Sequence, residues 1–179
     1  MTPPRPATIG VALLLLLLPA CALGGNPRSS PPPPGTATIV RVIDGDTIVV
    51  TFGDSEESVR LIGIDTPETK HPTAPVECFG PEAAEHTSEL LPPGEEVRLE
   101  RDAEQRDRYG RLLAYVYRRS DGLFVNLELV ADGFAEPAAY PPNVAHSADM
   151  STAASSARAA GVGMWKACSG ADPPIEQTE

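Results

Sequence analysis

Apolar and polar residues alternate in three neighbouring segments of the chain, which is the pattern of half-buried β-strands. The segments cover residues 38–43, 46–52 and 58–64, and Asp-Gly and Gly-Asp pairs separate them at positions 44–45 and 53–54. Such pairs are typical of tight turns between antiparallel strands. We therefore predict a three-stranded meander, followed by two further strands at residues 96–100 and 112–118 that a charged loop connects.

Three segments have the features of helices. The first covers residues 80–91, with Pro81 in its first turn and Glu82 near the positive end of the helix dipole. Gly133 ends a short helix over residues 125–132, and Gly161 ends an alanine-rich helix over residues 145–160. Five strands with three helices predict an α+β fold built on a five-stranded, partly open barrel of the oligonucleotide-binding type (OB-fold).

The N-terminal residues 1–20 have the pattern of an export signal, in which Arg5 precedes an apolar run over residues 9–18. This run is shorter than the ~20 apolar residues that a membrane-spanning helix needs. Cys21 follows directly, as in a bacterial lipoprotein signal, whereas the small residues Ala20 and Ala22 also suit an ordinary secretory cleavage site. Two outcomes stay open: either a lipid on Cys21 anchors the protein to the outer face of the cell membrane, or the protein is secreted.

Proline-rich and acidic segments flank the predicted domain. Residues 21–35 contain four consecutive prolines at positions 31–34, so we expect an extended tether. Residues 169–179 are polar and acidic, and we expect them to be disordered. This leaves residues 36–168 as one folded domain, which we expect to be monomeric.

Export would expose the cysteines to oxidising conditions. The chain has 3 cysteines, and if Cys21 is acylated, Cys78 and Cys168 have only each other as partners. We predict a disulfide between them, and two buried free thiols are the alternative.

The formal charge of −11 is unfavourable for a protein that binds polyanions. Contacts from Lys and Arg normally supply most non-specific affinity for nucleic acids. The charge therefore argues against tight, non-specific binding of nucleic acid, although it leaves room for a local cationic site.

Acidic side chains occur at two turns that each follow or precede a predicted strand. Asp44 and Asp46 flank the first turn, and Asp65 and Glu68 lie at the second, where Pro67 ends the strand. Each turn alone is most simply an ordinary turn, but neighbouring carboxylates would repel one another without a cation. A hard ion such as calcium prefers oxygen ligands.

We therefore expect Asp46 and Asp65 to bind the ion, together with the main-chain carbonyl of Thr66. Glu68 is placed to hold or deprotonate a water molecule. Asp44 is expected to support the ligands rather than to contact the ion.

Arginines flank the same segment of the predicted sheet. Arg60 lies on the third strand, and Arg108, Tyr109 and Arg111 surround Gly110 just before the fifth strand. Guanidinium groups bind phosphate oxygens bidentately, and a tyrosine can stack or hydrogen-bond beside them. Ordinary surface ion pairs are the alternative. Together with a cation, Arg60 and Arg111 would stabilise the charge of a phosphodiester under attack.

These motifs, in this order, resemble the staphylococcal nuclease (thermonuclease) family. The resemblance covers nearly all of residues 38–165 and rests on five pieces: Asp-Gly-Asp-Thr at 44–47, Arg-Leu-x-x-x-Asp-Thr-Pro-Glu-Thr at 60–69, Phe-Gly-Pro-Glu-Ala at 79–83, Asp-x-Tyr-Gly-Arg-x-Leu-Ala-Tyr at 107–115, and Val-Asn at 125–126 with Trp165.

The resemblance implies a calcium-dependent phosphodiesterase that acts on DNA and RNA, breaks the bond to the 5′ oxygen and leaves 3′-phosphate ends. It assigns calcium to Asp46, Asp65 and Thr66, the general base or water-positioning role to Glu68, and the scissile phosphate to Arg60 and Arg111. Arg108 and Tyr109 resemble contacts to a neighbouring phosphate, and Tyr140 resembles an aromatic that packs on a nucleoside.

The chain departs from the family pattern at two positions and in its charge. Ala138 stands where the pattern has a second aromatic residue, and Arg108 stands for a lysine. Both changes, like the acidic balance, concern affinity for the substrate rather than chemistry. Two other functions remain as alternatives, a non-catalytic oligonucleotide-binding module and a calcium-stabilised surface module.

Overall fold

A computed structural model describes Met1, residues 35–69 and residues 76–168 of the chain. The predicted signal, most of the tether and the acidic tail lie outside the described residues. In chain order the elements are β1 (Thr36–Asp44), β2 (Thr47–Phe52), β3 (Ser55–Leu61), β4 (Gly63–Asp65), α1 (Gly80–Leu90), β5 (Glu96–Glu100), β6 (Leu112–Arg118), α2 (Val125–Ala131), β7 (Glu136–Ala138), α3 (Ser147–Ala160) and α4 (Met164–Ala167).

Five strands form a closed barrel in the order β1-β2-β3-β6-β5. Strand β1 pairs antiparallel with both β2 and β5, which closes the barrel. Strand β3 pairs antiparallel with β2 and parallel with β6, so Arg60 lies opposite Thr47 on one side and Leu113 on the other. The predicted α+β fold, a five-stranded barrel with helices, is confirmed.

The predicted strand over residues 58–64 is wrong in one respect, because it is broken in two. Strand β3 ends at Leu61, and β4 begins at Gly63 and leaves the barrel to pair with β7. Gly63 has φ 81°, a conformation that costs glycine little and other residues much more. The break turns the end of the strand and sets the direction of the acidic segment after it.

Asn126 holds this break from inside the protein. Its side chain is fully buried, its Oδ1 accepts a hydrogen bond from Val116 N at 2.9 Å, and its Nδ2 donates to Ile62 O at 2.9 Å. The amide oxygen and nitrogen of Asn126 both have hydrogen-bond partners, as buried polar groups normally do. Through them, Asn126 links α2 to β6 and to Ile62, the residue between β3 and β4.

Apolar side chains from the barrel and the helices form one main core. Ile48, Val50 and Leu61 from the barrel pack in the same cluster as Leu129 of α2 and Met150 of α3. Removing this surface from water is the main force that holds the helices on the barrel. The described residues include two elements that the sequence did not predict, the short strand β7 and the single-turn helix α4.

A disulfide joins Cys78, just before α1, to Cys168, just after α4, with 6.0 Å between the Cα atoms. The pairing is the one that the sequence predicts. Within the described ranges, none of the helices has the length and apolar character needed to cross a membrane.

Candidate active site

The turn between β1 and β2 carries the first pair of carboxylates. Asp44 and Asp46 are each 8% exposed, and helix α1 holds the turn between them because Thr87 Oγ1 donates to Gly45 O at 2.7 Å. A Cβ on Gly45 would come within 2.7 to 2.9 Å of three Thr66 side-chain atoms. The two acidic turns are therefore packed directly against each other, and residue 45 has no room for a side chain.

Arg60 connects the carboxylates of the two turns. Its Nη2 lies 2.8 Å from Asp46 Oδ2 and 2.8 Å from Asp65 Oδ1. Its Nη1 donates to Leu61 O at 2.8 Å and to Ile64 O at 3.0 Å, the carbonyls on either side of the strand break. The guanidinium is only 15% exposed, so its position is set by the strand break and by both carboxylates.

The oxygen atoms around Arg60 make a suitable donor set for a hard cation. Asp46 and Asp65 place one carboxylate oxygen each on the same nitrogen atom, and Thr66 N lies 3.4 Å from Asp46 Oδ2, so the main chain of Thr66 borders the pair. Among residues 35–69 and 76–168, no three His, Cys, Asp or Glu side chains are grouped as a metal site. A pair of carboxylates with a carbonyl suits calcium or magnesium, which accept water as further ligands, better than a structural zinc ion.

The surroundings of Asp65 favour an added positive charge. Burial raises the pKa of Asp65 to about 6, the Arg60 guanidinium opposes this rise, and the charges of Asp46, Glu77 and Glu136 reinforce it. The side chain still has 47% of its surface exposed, so solvent can reach it. A cation here would relieve the repulsion among these acids.

Asp44 lies behind the two carboxylates and links the turns. Its Oδ1 accepts hydrogen bonds from Thr69 Oγ1 at 2.9 Å and from Gly45 N at 3.0 Å. Burial raises the pKa of Asp44 to about 6, and a hydrogen bond to the Glu68 carboxyl adds to the rise. Asp44 thus contacts the side chain of Glu68 and the end of its turn.

Arg111 reaches the same site from the start of β6. Asp107 orients it, because Arg111 Nε donates to Asp107 Oδ2 at 2.6 Å and Arg111 N donates to Asp107 Oδ1 at 2.9 Å. Its Nη1 lies 3.4 Å from Thr47 Oγ1, which donates to Asp46 Oδ1 at 2.9 Å. The second guanidinium is therefore connected to the carboxylate of Asp46 through a single hydroxyl group.

Two tyrosines extend the site towards solvent. Tyr109 is 70% exposed, with the guanidinium carbons of Arg108 and Arg111 at 4.9 and 5.5 Å from the centre of its ring. Tyr140 is 58% exposed and follows β7. Burial raises the pKa of Tyr140, and the charge of Asp65 adds to the rise, so the tyrosine lies within electrostatic range of the carboxylates.

The structure joins Asp46 to Arg60 by direct contact, to Asp65 through Arg60 and to Arg111 through one hydroxyl group, and it adds residues that sequence reasoning missed. Thr47, Asp107 and Thr87 hold Asp46, Arg111 and the first turn, and Glu77 holds the main chain of Glu68. Asp107 lay inside a motif quoted for the resemblance, but Glu77 belongs to no motif, and a contact to a backbone group leaves no pattern in a sequence.

Comparisons with known proteins agree with this fold. A protein-family model described as "Staphylococcal nuclease homologue" matches residues 58–167. The chain is 48% identical over 105 residues to the thermonuclease of Staphylococcus intermedius, covering 59% of this chain and 61% of that protein. It is 38% identical over 130 residues to the thermonuclease of Staphylococcus hyicus, covering 73% of this chain and 75% of that protein.

A third relative is the endonuclease YncB of Bacillus subtilis (strain 168), with 44% identity over 108 residues, 59% of this chain and 50% of that protein. The chain thus spans between half and three quarters of the length of these relatives. The family match includes both arginines and the second acidic turn, and it begins after the turn that carries Asp46.

Proposed function

Because the chain belongs to the staphylococcal nuclease family, we propose that it is a calcium-dependent phosphodiesterase that hydrolyses DNA and RNA. The observation that carries the proposal is the approach of two guanidinium groups to one carboxylate. Arg60 contacts Asp46 directly, and Arg111 reaches it through Thr47. Two fixed cations beside a hard-cation donor set are the arrangement that phosphoryl chemistry requires.

Asp46, Asp65 and the carbonyl of Thr66 would hold the calcium ion. The donor set supports this assignment, since two carboxylates and a carbonyl are hard ligands and leave positions for water and a phosphate oxygen. When bound, the ion would act as a Lewis acid. It would lower the pKa of a water molecule bound to it, so that this water could act as a nucleophile at neutral pH.

Glu68 accepts the proton of the attacking water in this proposal. The oxygen of that water forms a bond to phosphorus, and the bond from phosphorus to the 5′ oxygen breaks, which leaves a 3′-phosphate. Glu68 follows Pro67 on a rigid turn, and two hydrogen bonds to Glu77 hold its main chain. The released 5′ oxygen takes up a proton from solvent.

Arg60 and Arg111 bind the non-bridging oxygens of the scissile phosphate, where negative charge increases in the transition state. Arg111 is the more exposed of the two, with 31% of its side chain accessible, and it also donates a hydrogen bond towards the leaving oxygen. The Asp107 carboxylate keeps the guanidinium plane in place for both roles.

Arg108, Tyr109 and Tyr140 contact the flanking parts of the strand. The exposed ring of Tyr109 lies close to the guanidinium groups of Arg108 and Arg111, where it can hydrogen-bond a neighbouring phosphate. Tyr140 packs on a nucleoside, and base stacking of this kind contributes roughly 1 to 3 kcal/mol. Ala138 stands where the family pattern has a second aromatic ring, so we expect the substrate to bind weakly. We also expect the enzyme to be a monomer.

The enzyme would act outside the cytoplasm, anchored through Cys21 or secreted. Support comes only from the sequence of the N-terminal segment. Metabolic labelling with a fatty acid tests the anchor: labelled protein supports acylation of Cys21, and unlabelled mature protein supports secretion.

The catalytic assignments are tested by cleavage of single-stranded DNA in millimolar calcium. Arg60→Ala, Arg111→Ala and Glu68→Ala should each lower kcat/KM by about two orders of magnitude or more. Arg41→Ala is the matched control, because Arg41 is an exposed arginine paired with Glu56 away from the site. Wild-type activity in the first three variants would contradict the assignments.

The calcium ligands are tested by thermal unfolding. An ion that binds only the folded state raises its stability by mass action, so calcium should raise the Tm of the wild type and raise that of Asp46→Ala much less. A calcium-dependent Tm without any cleavage would instead support the calcium-stabilised module, and binding of oligonucleotides without cleavage would support the non-catalytic module.

A further inference from the structure

Glu77 lies just before α1 and holds the main chain of Glu68 through two hydrogen bonds. Glu68 N donates to Glu77 Oε2 at 2.7 Å, and Glu77 N donates to Glu68 O at 3.0 Å. The two bonds engage the peptide groups on both sides of the Glu68 Cα atom. Rotation of the backbone at Glu68 therefore breaks at least one of them.

The start of α1 packs against the same backbone. A Cβ added to Gly80 would lie 3.1 Å from Glu68 O and 3.1 Å from Pro67 O. Since backbone carbonyls of a packed turn cannot easily move aside, the glycine permits this close approach. The main chain of Glu68 is thus held by the start of a helix and by the carboxylate of Glu77.

The disulfide anchors the segment that carries Glu77. Cys78 is the next residue, and it is bonded to Cys168 at the end of α4. Met164, the first residue of α4, lines a cavity of about 100 Å³ together with Asp65 and Glu77. Met164 N in turn donates to Gly133 O at 2.9 Å, so the segment is tied to the helical part of the protein.

The charge of Glu77 by itself is unfavourable for a phosphodiesterase. It adds to the negative potential at Asp65, and it would repel an approaching phosphate group. Besides favouring a cation at Asp65, Glu77 can aid the reaction through its hydrogen bond to Glu68 N. A general base must lie within hydrogen-bonding reach of the proton it accepts, and a displacement of 1 Å can lower a rate by about 100-fold.

We propose that Glu77 is a positioning residue, which fixes the backbone of Glu68 so that the Glu68 carboxylate faces the attacking water. This inference rests on the proposed function and adds a residue outside the five motif segments of the sequence analysis. Glu77 does not touch the substrate or the reacting atoms. Its positioning effect on the reaction comes through Glu68.

The test compares kcat and KM for single-stranded DNA among Glu77 variants in millimolar calcium. Glu77→Ala should lower kcat about 10- to 100-fold and leave KM nearly unchanged. Glu77→Gln keeps an oxygen that can accept from Glu68 N, so its kcat should return to within about threefold of the wild type. Glu85→Ala removes an exposed acid from α1 and should change neither constant.

A double-mutant cycle separates positioning from a general structural role. In a Glu68→Gln background, Glu77→Ala should cause no further loss of kcat, because the two residues act as one unit. Glu77→Met, which keeps the length of the side chain without its oxygens, provides the same measurement if Glu77→Ala does not fold. Thiol titration under denaturing conditions verifies the disulfide in every variant.

Two results would overturn the inference while the proposed function stands: an unchanged kcat in Glu77→Ala and Glu77→Met, or an equal loss of kcat in the wild-type and Glu68→Gln backgrounds. A wild type that does not cleave DNA in calcium would overturn the proposed function itself.

Discussion

Replacing Asn126 by alanine should destabilise the protein more than any other loss of a single uncharged side chain near the site. The side chain is fully buried, and its removal leaves Val116 N and Ile62 O without their partner. A buried polar group that loses its hydrogen bond costs about 1 to 3 kcal/mol. The two groups together predict a loss of about 2 to 6 kcal/mol, a large part of the roughly 5 to 15 kcal/mol that stabilises a typical domain.

Urea unfolding measures this loss, and Asn143→Ala is the matched control. Asn143 also bonds one residue twice, with Glu104 N donating to its Oδ1 at 2.8 Å and its Nδ2 donating to Glu104 O at 3.3 Å. Asn143 is 5% exposed, but the groups that it would leave belong to the exposed residue Glu104, so water can replace these bonds and the expected loss is smaller, about 1 kcal/mol. Equal losses for Asn126→Ala and Asn143→Ala would refute the reasoning.

The same variant has a consequence for the site. Ile62 lies between the two carbonyls that accept hydrogen bonds from Arg60 Nη1. Releasing Ile62 should therefore loosen Arg60, and the folded fraction of Asn126→Ala should show a lower kcat/KM than the folded fraction of Asn143→Ala.

Three other changes have expected outcomes. Replacing Cys78 and Cys168 by serine removes a cross-link between residues 90 positions apart, and the loss of stability in urea should approach 4 to 5 kcal/mol, about the value of the chain-entropy model; an unchanged urea midpoint would contradict this. Gly45→Ala forces its Cβ against Thr66, so the calcium-dependent rise in Tm should shrink, and a full rise would contradict the packing. Ala138→Tyr adds a stacking ring and should lower KM for single-stranded DNA about tenfold; a higher KM would exclude that site from base contact.

The barrel could be predicted from the sequence because its strands alternate and end at glycine-containing turns. The break after Leu61 could not, since residues 61–64 form a continuous apolar run and Gly63 is its single irregular position. Strand β7 has three residues and contains Pro137, so it is too short to show an alternation of apolar and polar residues in the sequence. It forms because β4 leaves the barrel and needs a partner.

The candidate site could be predicted from the sequence where acidic residues lie at predicted turns. Asp46 and Asp65 were predicted together from their two turns, and the structure joins them through Arg60. The sequence indicated Arg60 for a phosphate with an ion pair as the alternative, and the structure shows Arg60 paired with both carboxylates. Glu77 was beyond prediction because it acts on a backbone group across the turn, and only the folded chain brings the two together.

Hydrolysis of single-stranded DNA by the purified wild-type protein, first in millimolar calcium and then with excess chelator, tests the central claim most directly. The account predicts fragments with 3′-phosphate ends in calcium and no cleavage in chelator. Undiminished cleavage in chelator, or no cleavage in calcium by folded protein, would contradict it.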